Sequence, residues 1–142
     1  MGVMNTSNNT VETFINCLRS DFPEFEFKKG KQDHWSPKTN TVIYDPSQQI
    51  DCLKSGVLHE LAHALLGHST YRSDFELLKL ESKAWELASR LGPKYGINID
   101  DDHIQNCLDT YRDWLHSRSS CPTCGTHVLQ NDSANYRCFN CH

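Results

Sequence analysis

The chain has 142 residues, of which 37% are hydrophobic and 23% are charged, as is typical of one globular domain with or without a small appendage. A formal net charge of −4 gives no general attraction to nucleic acid or to an anionic membrane. No apolar run approaches the roughly 18 residues that a membrane span requires. Eight histidines and seven cysteines are unusual in so short a chain, and both residue types bind metals. The odd number of cysteines and the lack of a signal-peptide pattern lead us to expect a cytoplasmic protein.

The first predicted element is an amphipathic helix. Apolar residues recur at i, i+3, i+4 and i+7, the spacing of one buried helix face. These residues are Val11, Phe14, Ile15 and Leu18. The helix should end before Phe22 and Pro23, and we expect Cys17 to be a small buried side chain on it.

Two short strands should follow this helix. Phe25 and Phe27 alternate with charged residues, which predicts a half-buried strand, and residues 41–44 form a second apolar run closed by Asp45. Residues 33–38 are predicted to be a loop. Two neighbouring strands favour a small antiparallel sheet. An extended peptide can add to an open sheet edge, and we expect a substrate along the strand around Val42 to Tyr44.

The most informative stretch is residues 57–68, which contains the pattern H-E-x-x-H at His59, Glu60 and His63. Positions i and i+4 share one face of a helix, so both imidazoles can bind one zinc ion. Zinc lowers the pKa of bound water to roughly 7, and Glu60 lies beside the pair as a general base. The helix should begin between Ser47 and Asp51 and end near Gly67.

Two histidines leave the metal without a third protein ligand. Ser73 and Glu76 form a capping box for the next helix, which should run to Gly92-Pro93. One face of this helix, its small-residue stripe, has two alanines that allow close helix packing and also carries a carboxylate. The stripe comprises Glu81, Ala84, Trp85 and Ala88. We favour Glu81 as the third ligand, with Glu86, about 140° around the helix, and His68 as alternatives. His68 follows His63 by five residues rather than the six of the extended H-E-x-x-H-x-x-G-x-x-H pattern, so we interpret it as a loop residue beside the site.

A last helix should begin after three aspartates at residues 100–102, whose carboxylates suit a helix N-terminus. Its predicted buried face comprises Ile104, Cys107, Leu108, Tyr111 and Leu115. With the preceding elements, this predicts an α+β domain with about four helices and a small antiparallel sheet.

The tail differs in composition. Two C-x-x-C pairs stand 13 residues apart, the spacing of a closed tetrahedral zinc site. The predicted ligands are Cys121, Cys124, Cys138 and Cys141. We therefore predict a metallopeptidase-like domain at residues 1–118 and a zinc ribbon at 119–142. The metal should stabilise the ribbon, since so short a segment buries too little core. Its balanced charge does not support nucleic-acid binding.

The segment from His59 to His68, followed by Glu81-Ser82-Lys83-Ala84-Trp85, resembles the ImmA/IrrE family of zinc metallopeptidases, particularly its short phage-borne members. The resemblance covers roughly residues 10 to 117 and implies a compact gluzincin-like fold. It also implies His59 and His63 as ligands, Glu60 as the base and a glutamate of the next helix as third ligand. Members of this kind cleave repressor-type DNA-binding proteins. The family often has Glu where this chain has Lys83, and a cysteine-rich C-terminal module is instead similar to SprT-like proteases that act near DNA.

We therefore expect a zinc endopeptidase with two zinc ions, one catalytic and one structural, acting on a protein substrate such as a transcriptional repressor. The oxyanion of the tetrahedral intermediate needs a donor besides zinc, and Tyr71, His68 and Tyr95 are the candidates. One alternative is an SprT-like protease. Another is a non-catalytic zinc module that contacts protein or nucleic acid.

Overall fold

A computed structural model describes the backbone of residues 6–119 and the side chains of residues 10–117. This part of the chain is α+β, with four α-helices and one three-stranded mixed sheet. The elements are α1 (Thr6–Asp21), β1 (Glu26–Lys29), β2 (His34–Ser36), β3 (Thr41–Tyr44), α2 (Ile50–Leu65), α3 (Asp74–Leu91), a short 3-10 helix (Gly92–Tyr95) and α4 (Asp101–Ser119). Among the described helices, none combines the length and the apolar character that crossing a bilayer requires. The predicted ribbon lies outside the described residues, apart from Ser119 at the end of α4.

The sheet differs from the predicted antiparallel pair. Strand β3 is central, β1 runs parallel to it with Phe27 opposite Val42, and β2 runs antiparallel to it with Trp35 opposite Val42. The prediction of a loop at residues 33–38 was wrong because β2, at three residues, is too short to show a hydrophobic period. The chain reverses direction between β1 and β2 and again between β2 and β3, so β1 and β3 run in the same direction.

The described residues form two compact units, of which the first contains residues 6–68 and 84–99. Its core is built from α1, β3 and α2, with apolar side chains one helical turn apart on each helix. The larger fully buried members are Ile15, Leu18, Val42, Tyr44, Leu53, Val57, Leu58 and Leu61. Burying each large apolar side chain contributes about 1.5–3 kcal/mol, so this core fixes α2 against the sheet. Cys17 is exposed, contrary to the expectation that it is a small buried side chain, because Ile15 and Leu18 take the buried positions of α1.

The second unit contains residues 69–83 and 100–119. The hydroxyl of Ser73 accepts the Glu76 backbone N–H at 3.1 Å, which is one of the two hydrogen bonds of the predicted capping box. The Glu76 carboxylate accepts the Arg72 backbone N–H at 3.4 Å. At the start of α4, the Asp100 carboxylate accepts the His103 backbone N–H at 2.8 Å, so an aspartate does cap this helix. Leu108 is buried on the predicted inner face of α4.

The Asp33 carboxylate stabilises the loop between β3 and α2. Asp33 Oδ1 accepts the Asp45 backbone N–H and the Gln48 amide, each at 3.0 Å. The other oxygen, Oδ2, lies against Gly56 so closely that a Cβ there would overlap it. Gly56 therefore serves close packing three residues before His59.

Candidate metal centre

Helix α2 places His59 and His63 side by side. Their Nε2 atoms lie 3.2 Å apart and their ring centroids 4.7 Å apart. Zn–N bonds of roughly 2.0–2.1 Å in a tetrahedral site separate two nitrogens by about 3.3 Å. The spacing of the two Nε2 atoms thus fits one shared ion.

The third member of the group is Glu81 on α3. One ligand atom from each of His59, His63 and Glu81 lies within 4.8 Å of the other two, and this group can hold a metal ion. His63 is 8% exposed and Glu81 7% exposed. Burying a carboxylate beside imidazoles is costly unless a positive charge or hydrogen bonds compensate it, and the donor set matches that of hydrolytic zinc sites.

The alternative ligand on α3 lies elsewhere. Glu86 is exposed, with 61% of its side chain accessible, and it pairs with Arg90 one turn along the helix. Glu86 is therefore a surface residue, as the helical period predicts. By contrast, Ala84 and Ala88 are fully buried, and this small-residue stripe continues the face that carries Glu81.

Glu60 follows the first histidine and is also shielded. Its side chain is 16% exposed, and Oε1 lies 3.7 Å from His59 Nδ1. Glu60 does not belong to the group of three ligand atoms. A carboxylate beside a group that can hold a metal ion, but outside that group, can act as a general base toward a water there.

Two aromatic contacts at the site were not predicted from the sequence. The Trp85 indole stacks on the His59 imidazole, with centroids 4.1 Å apart and planes 8° apart. The Trp35 indole N–H donates to the backbone carbonyl of His68 at 3.0 Å. Trp85 was detectable, since it lies in the stripe with Glu81. Trp35 was not, because the sequence predicts a loop at residues 33–38.

His68 lies against the outer edge of His63. The Nδ1 atoms of the two rings are 2.9 Å apart, on the opposite side of the His63 ring from the Nε2 that faces His59. His68 is absent from the group of three ligand atoms. Its imidazole therefore contacts His63 and is not part of the group that can hold a metal ion.

The predicted substrate strand is not available to a peptide. Residues Thr41 to Tyr44 pair with β1 on one side and with β2 on the other, so the expectation that a peptide lies along Val42 to Tyr44 was wrong. A peptide that joins the sheet must add to an edge strand. Of the two edge strands, β2 carries Trp35, whose indole bonds His68.

The hydroxyl of Tyr95, one of the three candidate oxyanion donors, is already engaged. It donates to Asp21 Oδ2 at 2.7 Å. This bond is the main cause that lowers the pKa of Asp21, while burial and then the Asp21 contact raise the pKa of Tyr95. Tyr71, another candidate, is 45% exposed. The four tail cysteines predicted to bind zinc lie outside the described residues.

A scan against protein-family models and searches of curated proteins and of solved structures found no match to this chain. The geometry of His59, Glu60, His63 and Glu81 therefore carries the functional argument.

Proposed function

We propose that this protein is a zinc-dependent endopeptidase whose metal is held by His59, His63 and Glu81. One observation carries the proposal: three ligand atoms of the hydrolytic donor set lie within 4.8 Å of one another, with the Glu60 carboxylate beside them. When bound, the zinc ion supplies a Lewis acid and an acidic water. Three protein ligands leave room for that water.

Each residue then has a distinct role. Nε2 of His59 and of His63 would each donate a lone pair to the ion, and the Glu81 carboxylate would offset part of its charge. Glu60 takes a proton from the attacking water and passes it to the departing amine, a general acid–base role worth about 10²–10⁴ in rate. The Trp85 ring, flat on His59, limits the orientations of that imidazole.

We propose β2 as the strand that receives the substrate. It is an edge strand antiparallel to β3, so its outer side can pair with an extended peptide. Main-chain pairing is tolerant of side-chain identity. The preference for one cleavage site would then come from pockets near Trp35 and from the substrate itself.

The wider proposal follows the sequence resemblance. We propose an ImmA/IrrE-type, gluzincin-like metallopeptidase whose substrate is a repressor or similar regulator, with the tail at 119–142 as a four-cysteine zinc ribbon. The evidence for the tail is its C-x-x-C spacing alone.

The test compares wild-type protein with Glu60→Gln and with Glu86→Gln as a surface control. A mixture of unstructured peptides serves as probe, with products identified by mass spectrometry and metal content measured in parallel. We expect metal-dependent cleavage by wild type and by Glu86→Gln. Glu60→Gln should retain full metal and lose at least 100-fold in rate, in line with general-base catalysis. Cleavage by Glu60→Gln at the wild-type rate would remove Glu60 as the base, and a metal-loaded wild type that cleaves no peptide or repressor would overturn the endopeptidase proposal.

A further inference from the structure

The end of helix α2 forms a C-terminal capping motif that involves a metal ligand. The Gly67 N–H donates to the Ala64 carbonyl at 3.1 Å, and the His68 N–H donates to the His63 carbonyl at 3.0 Å. These bonds, with Gly67 at φ +71°, define a Schellman motif in which His63 is position C3 and His68 is position C″. The side chains at C3 and C″ usually touch in this motif.

That contact is normally apolar, but here it joins two imidazoles. His63 Nδ1 and His68 Nδ1 lie 2.9 Å apart, a hydrogen-bond distance. Two ring nitrogens can share one proton at this distance, so one ring donates and the other accepts. The motif thus explains why a histidine five residues after His63 reaches its outer nitrogen.

The direction of this hydrogen bond decides whether His63 can bind a metal. If His63 Nδ1–H donates to His68, Nε2 of His63 keeps its lone pair, 3.2 Å from His59 Nε2. If His68 donates instead, a neutral His63 carries its proton on Nε2 and cannot bind the ion. A metal therefore requires the tautomer in which His68 accepts.

We propose that His68 is a positioning residue that holds His63 in its metal-binding tautomer and ring orientation. This inference rests on the proposed metal site. Three contacts position His68. Its backbone N–H donates to the His63 carbonyl, and its backbone carbonyl accepts the Trp35 indole N–H at 3.0 Å. Its ring contacts the His63 ring. Outer partners of metal-bound histidines typically change metal affinity 10–100-fold.

The test uses zinc-loaded full-length protein and two pairs of variants. His68→Ala removes the acceptor, whereas His68→Asn offers an amide oxygen in its place. Gly67→Ala strains the positive φ but keeps His68, whereas Gly67→Asn tolerates this φ. A Cβ at Gly67 would have no atom within 4 Å. Gly67→Ala and Gly67→Asn therefore differ in how well each residue tolerates the positive φ, and not in a steric clash of the Cβ. His116→Ala, at an exposed position of α4, is the control.

We expect His68→Ala and Gly67→Ala to weaken metal binding at the histidine site by about 10–100-fold, with His68→Asn and Gly67→Asn close to wild type. Nitrogen NMR of the histidine rings should show His63 with its proton on Nδ1 in the wild type. Unchanged affinity in His68→Ala, or a His63 proton on Nε2 in the metal-free site, would overturn the inference.

The same experiment separates this inference from the proposed function. Cobalt substitution distinguishes the two sites, since thiolate ligands give a sulfur-to-metal charge-transfer band and histidine and carboxylate ligands do not. If wild type takes no metal at the histidine site, the proposed function fails. The proton on the His63 ring still reports whether His68 accepts the hydrogen bond.

Discussion

The indole of Trp85 lies flat on the imidazole of His59, with ring planes 8° apart and centroids 4.1 Å apart. Trp85 is 5% exposed, so the stack is sheltered from water. This arrangement limits His59 to a narrow range of ring orientations, with Nε2 toward His63.

Replacing Trp85 should therefore weaken metal binding. Aromatic stacking contributes about 0.5–1.5 kcal/mol beyond burial, so Trp85→Leu should lower the metal affinity of the histidine site by roughly 2- to 10-fold. Trp85→Phe keeps an aromatic face and should lose less. Competition with a chromophoric chelator measures both values. Equal affinities in Trp85→Leu and wild type would show that the stack does not orient the ligand.

Glu81 should be required for the third coordination position. Glu81→Ala should bind one metal ion fewer per chain than wild type, because two histidines alone hold zinc weakly. Glu86→Ala is the matched control, since Glu86 lies exposed on the same helix and pairs with Arg90. Metal content after dialysis against a weak chelator gives the result. Equal metal content in Glu81→Ala and wild type would exclude Glu81 from the ligand set.

The close contact between Asp33 and Gly56 predicts that Gly56→Ala changes the free energy of unfolding in opposite directions in wild type and in an Asp33→Ala background. Gly56→Ala in wild type should displace the carboxylate and lower the free energy of unfolding by about 1–3 kcal/mol, the cost of losing its hydrogen bonds. In an Asp33→Ala background the obstruction is gone, and the same change should raise stability by up to about 1 kcal/mol, since alanine favours helix over glycine. Urea unfolding of the four proteins measures the coupling. The same effect in both backgrounds would show that Asp33 and Gly56 are independent.

The bond between Tyr95 and Asp21 predicts a pH dependence at both extremes. Folding lowers the pKa of Asp21 from 3.8. The stability that the ionised carboxylate contributes is therefore complete above pH 3.8 and is lost as pH falls through the folded-state pKa. Folding raises the pKa of Tyr95 from 10.0. The stability that the protonated hydroxyl contributes is therefore complete below pH 10.0 and is lost as pH rises through the folded-state pKa.

Tyr95→Phe should remove both contributions. Carbon NMR titration of the Asp21 carboxyl should show its pKa rising in this variant, because the hydrogen bond from Tyr95 is the largest cause that lowers it. Tyr71→Phe, at an exposed position, should leave the Asp21 pKa unchanged. An Asp21 pKa that is the same in Tyr95→Phe and wild type would contradict the assigned cause.

The sequence predicted the helices well because their signals are local. The buried stripe of α1, the capping box of α3 and the start and end of α2 all follow from spacing within one or two turns. The helical period likewise predicted that Glu81 lies on the face of α3 that continues through the buried Ala84 and Ala88.

Pairing between residues that are distant in the sequence leaves no local pattern. Strand β2 is too short to show a pattern, so its insertion beside β3 and the parallel pairing of β1 were missed. The hydrogen bond from Trp35 to His68 depends on that insertion. The stack of Trp85 on His59 requires the relative placement of two helices, which no local pattern specifies.

The most direct test of the central claim is a crystal structure of the zinc-loaded protein with anomalous scattering measured at the zinc edge. We predict a strong peak within coordination distance of His59 Nε2, His63 Nε2 and a Glu81 oxygen, with the remaining position open to water. A map with no peak among these three residues, or an ion there enclosed by four protein ligands, would contradict the account.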